Sequence, residues 1–231
     1  MPAHNEAESI GETIREFHQV AAADGLQVSF LVCEDGSTDG TPDVIRALAE
    51  ELPVVLDSTP DRRGYSRAVV DGMRSTTGDV VGFIDGDGQC DPHDLARLAS
   101  ALNDADMAVG YRDPRADSTA RRWMSGAFGL VFRSVFPVKC RDPSCPYVLI
   151  RRAALERVLK GRPGILPQGF WWEFNARAMA AGLSIGEVPV HHRVRASGQT
   201  QVYRPSKLPR IVGEHLVGLW HLRRDIAASH S

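Results

Sequence analysis

The 231-residue sequence predicts an α/β fold: a mostly parallel sheet with helices on both faces. Two observations predict it. Short apolar runs of strand length alternate with segments whose apolar residues recur at helical spacing. Two of those runs also lead straight into clusters of acidic residues and glycines, and open α/β sheets bind ligands beyond the carboxyl ends of their strands.

Residues 7–23 carry Ile10, Ile14, Phe17 and Val20 on one helical face. Residues 28–33 form a buried-strand run. A helix is expected over 41–52, with Asp39 or Thr41 as cap and Pro42 in its first turn. Strands follow at 54–56, 80–84 and 107–109, separated by helices at 65–75 and at 92–102, the latter capped by Asp91. The second half is less regular. Helices are expected at 118–136, 153–159 and 170–181, and strands at 147–150 and 185–190. An amphipathic helix covers 208–222. Residues 160–169 read as a loop of a binding region. No repeat or linker divides the chain, so residues 1–231 are expected to form a single domain, regular over 1–112 and less regular over 113–231.

Composition narrows the function. With 27 Lys and Arg against 29 Asp and Glu, the net charge is −2, which argues against a nucleic-acid partner. Four cysteines, Cys33, Cys90, Cys140 and Cys145, are too few and too scattered for a disulfide scaffold; reduced thiols are expected. No run approaches the roughly 20 apolar residues of a membrane helix. A cytoplasmic protein, or one peripheral on the cytoplasmic face of a membrane, is the expectation.

The acidic residues carry the chemistry. The run 28–33 opens into Glu34-Asp35-Gly36-Ser37-Thr38-Asp39-Gly40, and the run 80–84 into Asp85-Gly86-Asp87-Gly88-Gln89. Two carboxylates separated by one glycine can approach a divalent cation together. Hard oxygen donors of this kind suit Mg²⁺ or Mn²⁺, completed by substrate phosphates and water.

These segments resemble a family. Pro2-Ala3-His4-Asn5-Glu6 is similar to the opening motif of the GT-A, family two glycosyltransferases. Residues 34–39, then Arg63-Gly64 with Ala68 and Gly72, resemble the second and third motifs. Asp85-Gly86-Asp87-Gly88-Gln89 resembles the Asp-x-Asp motif with its trailing Gln. Within the family, dolichol-phosphate mannosyltransferase-like enzymes are most similar. The resemblance implies an inverting transfer of a sugar from a UDP- or GDP-sugar to a polyprenyl phosphate, with 1–112 as the nucleotide-sugar-binding half and 113–231 as the acceptor-binding half. It also implies roles: Pro2, Ala3, Asn5, Glu6, Asp35, Arg63 and Gly64 at the nucleotide, Asp85 and Asp87 at the diphosphate and metal, and Gln89 at the sugar or acceptor. The family places an apolar strand before the Pro-x-x-Asn-Glu motif. Here the sequence starts at the motif, so that strand is expected to be missing, with strand edges and apolar surface exposed.

The acceptor is read from the second half. Arg112 follows the strand run 107–109, and Arg195-Ala196-Ser197-Gly198 resembles the family's Arg-x-x-Gly element; both are candidate phosphate contacts. Asp142-Pro143-Ser144-Cys145-Pro146-Tyr147 partly resembles the polyprenyl-phosphate enzymes' Asp-x-x-Ser-Gly-Phe-Arg element. A phosphate acceptor is already a dianion and needs no base. A saccharide or other hydroxyl acceptor would need one, and Glu173 in Trp171-Trp172-Glu173-Phe174 is the candidate, with the tryptophans as a sugar platform. The C-terminal helix could meet a membrane or a membrane partner, or pack on the domain. A receiver-like signalling module also gathers acidic residues around Mg²⁺ at strand ends, but leaves the second half unexplained.

Overall fold

The protein is described by a computed structural model covering residues 1–113, 119–136, 139–161, 163–166, 169–194 and 208–229. Seven strands and eight α-helices alternate along these residues. A parallel sheet joins β1 (Pro2–Ala3), β2 (Phe30–Asp35) and β3 (Val54–Thr59) in that order. A second sheet runs β4 (Val80–Phe83), β6 (Val148–Arg151), β5 (Met107–Arg112), β7 (Ile185–Val190). The β5–β7 pair is parallel, but β6 lies antiparallel to both β4 and β5. The reversal has a simple cause. The chain leaves β5 at its carboxyl end and forms residues 139–147 before β6. A strand that re-enters from the rim where its predecessor left must run the opposite way.

β1 is short: Pro2 and Ala3 pair with Cys33 and Glu34, and Met1 adds bonds to Leu31 and Cys33. Among the described residues the two sheets share no hydrogen-bonded strand pair. Val80 at the start of β4 is 45% exposed. The sheets are tied instead by α1 (Ile10–Ala23). The Ser9 hydroxyl donates to the Gly86 carbonyl at 3.0 Å, and a Cβ on Gly86 would stand 2.8 Å from Ile10 Cδ1.

Strand alternation sorts the core into two layers. Ala108, Leu149, Val188 and Val190 face Ile10, Ile14, Leu95 and Leu98, on the side of α1, α2 (Thr41–Ala49) and α4 (Leu95–Ala101). Met107, Val109, Val148 and Ile150 face the opposite side, against α3 (Tyr65–Ser75), α6 (Arg152–Leu159) and α7 (Phe170–Ala180). Beyond α7 lies a third cluster, in which Phe132 and Phe136 of α5 (Thr119–Val135) and its end meet Trp172 and, from α8 (Leu208–Ser229), Leu219 and Leu222. α8 therefore packs on the domain through Leu219 and Leu222, while Val217 and Trp220 are exposed. No described helix is long and apolar enough to cross a membrane. All four cysteines are buried free thiols.

Phe132 is wholly buried, with ring centroids 4.8 Å from Phe136 and 5.2 Å from Trp172. Phe132→Ala is expected to lower the unfolding free energy by about 3–5 kcal/mol in urea titrations. Leu130→Ala on the exposed side of the same helix should change it by less than about 0.5 kcal/mol.

Candidate active site

The first two acidic motifs fold into one laced corner. Asn5 takes a left-handed backbone (φ 56°), a conformation that asparagine tolerates better than most residues. Its N–H donates to Ser37 Oγ at 3.0 Å and its Oδ1 accepts from the Thr38 N–H at 2.8 Å. The Glu6 N–H donates to Thr41 Oγ1 and the Ala7 N–H to Asp39 Oδ2. Glu34 is buried. Burial would raise its carboxyl, but hydrogen bonds from the Ser58 hydroxyl and from Ser37 outweigh this and hold it below the usual range. Gly36 (φ +65°) sits where a Cβ would stand 2.8 Å from the Arg62 nitrogen, so the turn admits no side chain.

Asp35 is buried, and its two oxygens accept the N–H groups of Arg63 (2.6 Å) and Gly64 (2.8 Å). Its visible work is to hold the turn ahead of α3. Arg63 itself reaches Asp71 at 3.1 Å. Pro2 and Ala3 form β1, next to Glu34.

Asp85, Asp87 and Gln89 lie at the carboxyl end of β4. Asp87 is 8% exposed, and Asp85 is partly exposed. Burial first, and then the neighbouring Asp87 charge, push the Asp85 carboxyl up to about 7. The Gln89 N–H donates to Asp87 Oδ1 at 3.1 Å, and Gln89 Nε2 donates to the Arg193 carbonyl at 3.2 Å. A carbonyl only accepts, so the amide turns its Oε1 away from Arg193.

This donor set fits a hard divalent cation. Two close carboxylates, one with its proton affinity raised by the other, gain from a cation between them. Among the described residues no group of three or more His, Cys, Asp or Glu side chains is placed to hold a metal. Substrate phosphates and water would therefore supply much of its shell, as is usual for Mg²⁺.

Tyr65 is the site neighbour that motif reading missed. Its hydroxyl donates to Asp85 Oδ1 at 3.0 Å and accepts from Trp171 Nε1 at 2.8 Å. A lone tyrosine after Arg63-Gly64 carries no sequence signal for this. The bridge joins the metal-type loop to α7 in the second half.

The second-half candidates are placed differently from the expectation of open phosphate contacts. Arg112 is 7% exposed on its side chain and grips Asp142 with both arms, Nε to Oδ2 at 2.6 Å and Nη2 to Oδ1 at 2.9 Å; Nη2 also donates to Ser144 Oγ. It thus fixes the 142–144 turn. Glu173 is 0% exposed. Its oxygens accept the N–H groups of Gly164 (3.0 Å) and Leu166 (2.7 Å) and the Arg177 Nε–H (2.8 Å). Arg177 continues to Asp225 of α8 at 2.6 Å. Burial raises the Glu173 carboxyl against the pull of Arg177 and the two amides. A sealed carboxyl holding a loop is not placed to take a proton from a sugar hydroxyl. Trp171 and Trp172 are likewise core, 7% and 6% exposed, packed on Phe83 and on Phe128 with Phe132. Arg195 and the element at 195–200 lie outside the described residues.

The architecture is that of a GT-A-like α/β protein. Mannosyl-3-phosphoglycerate synthase from Rubrobacter xylanophilus superposes with a TM-score of 0.70 at 18% identity, covering 96% of this chain and 72% of that one. Glucosyl-3-phosphoglycerate synthase from Mycobacterium tuberculosis, solved with Mn²⁺, UDP-glucose and phosphoglyceric acid, gives 0.67 at 21% identity, covering 96% and 77%. The chain belongs to glycosyl transferase family 2, whose model matches residues 1–159. It is 28% identical over 209 residues to the undecaprenyl-phosphate 4-deoxy-4-formamido-L-arabinose transferase of Pseudomonas paraeruginosa, covering 87% of this chain and 58% of that protein. It is 26% identical to the dolichol-phosphate mannosyltransferase of Pyrococcus furiosus, covering 95% and 67%. The chain thus spans somewhat under two thirds of the length of the arabinose transferase.

Removing Glu173 takes the acceptor from the Arg177 Nε–H and from the N–H groups of Gly164 and Leu166, and leaves Arg177 only Asp225 of the two carboxylates it joins. Glu173→Ala is therefore expected to cost about 3–5 kcal/mol of stability in urea unfolding. The loss should be smaller in an Arg177→Met background, where no buried cation loses a partner, but should not vanish, because the two amides still lose theirs.

Proposed function

We propose that the protein is a metal-dependent, inverting glycosyltransferase that moves a sugar from a UDP- or GDP-sugar to a polyprenyl phosphate. The observation that carries the reading is the Asp85/Asp87 pair at the end of β4, beside the laced 5–7 and 37–41 corner, in a chain of this family. The relatives named for undecaprenyl-phosphate and dolichol-phosphate transfer support the acceptor class.

In this reading Pro2, Ala3, Asn5 and Glu6 line the nucleoside side, with Asp35 and the Arg63–Gly64 turn shaping its floor. Asp85 and Asp87 hold the cation, and Gln89 offers its carboxamide oxygen toward it or the sugar. Bound there, Mg²⁺ or Mn²⁺ would neutralise the charge developing on the leaving nucleoside diphosphate. The acceptor phosphate attacks the anomeric carbon from the opposite face. As a dianion near neutral pH it needs no proton removed, which accords with the sealed position of Glu173. Arg112 acts by holding the 142–144 turn, and Arg195 is assigned to phosphate from the resemblance alone. The acceptor lipid would be met peripherally or through a membrane partner.

Calorimetric titration of UDP- and GDP-sugars with Mn²⁺ and with EDTA tests this. Binding of one nucleotide class that requires Mn²⁺ is expected. Asp87→Ala should abolish the metal dependence and lower kcat/KM for polyprenyl phosphate by about 100-fold or more, the equivalent of roughly 3 kcal/mol of charge stabilisation. Tight nucleotide binding that ignores both EDTA and Asp87→Ala would overturn it.

A further inference from the structure

Beyond β7 the chain does not leave the sheet at once. It crosses the loop that follows β4. Cys90 and His192 form an isolated antiparallel bridge, and the Arg193 N–H donates to the Gln89 carbonyl at 2.9 Å. The Gln89 amide returns a bond to the Arg193 carbonyl at 3.2 Å. These few bonds lie at an open edge, since Val194 immediately beyond is 83% exposed.

The Arg193 side chain supplies what the backbone contacts lack. Its Nη1 lies 2.8 Å from both oxygens of Glu16 in α1, and its Nη2 lies 2.9 Å from Asp91 Oδ1. Asp91 in turn caps the short turn 92–94 through the His93 N–H at 3.0 Å. Burial would raise the Asp91 carboxyl, but His93 and Arg193 outweigh it and hold it below the usual range. One planar cation therefore ties α1, the 89–93 segment and the end of β7 at a single point. Arg193 and Glu16 are about a third exposed, 34% and 37% on their side chains. Pairs that exposed add little stability. Their worth is geometric, because a guanidinium fork sets direction as a lysine ammonium cannot.

We propose that Arg193 is a positioning residue for the donor site: by clamping Glu16 and Asp91 it holds its own carbonyl under the Gln89 side-chain amide, and so sets where Gln89 Oε1 points. The proposal rests on the donor-site reading above, in which that oxygen faces a divalent cation or the sugar of a nucleoside diphosphate donor. A lysine at this position keeps the charge but reaches one carboxylate at a time.

The test compares wild type, Arg193→Gln, Arg193→Lys, Gln89→Ala and the double variant Arg193→Gln/Gln89→Ala. Two readouts are taken. In the ligand-free protein, the Gln89 side-chain NH₂ pair is followed by ¹⁵N NMR. It should be shifted and protected in wild type and collapse to the free-amide position in both Arg193 variants, with Tm moving by less than about 4 °C. With Mn²⁺ alone, electron paramagnetic resonance titration should show affinity about 10-fold weaker in both Arg193 variants. In the Gln89→Ala background Arg193→Gln should then add nothing. An unchanged NH₂ signal, full recovery of affinity by lysine, or additive losses in the double variant would overturn the positioning role. Should wild type take up neither Mn²⁺ nor nucleotide, the donor-site reading falls, and the NMR comparison alone decides whether Arg193 orients Gln89.

Discussion

Two carboxylates one residue apart, packed at the end of a core strand, are the constraint around which the molecule is arranged. Burial first, and then the Asp87 charge, push the Asp85 carboxyl up to about 7. The surroundings keep the loop in place despite this strain. Ser9 takes the Gly86 carbonyl, Gly86 lets Ile10 come close, Tyr65 donates to Asp85, and the Gln89 N–H turns back to Asp87. The contacts come from the start of α1, from α3 and from the loop itself, so helices on both faces of the fold help to fix it. That is the condition under which charges can wait, preorganised, for a ligand.

The second half has its own spine in α7. Its residues are buried on nearly every side because it stands between two aromatic clusters, with Trp171 and Phe174 in one and Trp172 in the other. The polar residues of so enclosed a helix must be paired internally. Glu173, Arg177 and Asp225 do this, pinning the 164–166 loop and α8 to the same helix. The Trp171–Tyr65–Asp85 chain then connects this spine to the carboxylates. The first and second halves of the chain are one mechanical unit at that point.

The fold class was legible because alternation of apolar runs and helical periods is a local signal. The strand ends at 35 and 84 were legible because acidic residues and glycine interrupt apolar runs abruptly. The direction of β6 was not, since the run Val148-Leu149-Ile150 reads the same both ways and only the path of residues 139–147 decides it. The fate of Glu173 was hidden for a similar reason. A carboxylate beside two tryptophans looks like a sugar site, and what seals it is a loop nine residues upstream together with Arg177. Arg112 looked free because its partner, Asp142, lies 30 residues away in sequence. Tyr65 and Arg193 act through partners 20 to 177 residues distant, and no local pattern marks such residues.

The central claim is that Asp85 and Asp87 together receive a divalent cation and the donor diphosphate. Crystals grown with Mn²⁺ and a UDP- or GDP-sugar, measured at the manganese edge, test it most directly. The account predicts an anomalous peak within coordination distance of at least one of these carboxylates, with the diphosphate oxygens completing the shell. A nucleotide bound with no peak there, or a peak ligated by other side chains, would contradict it.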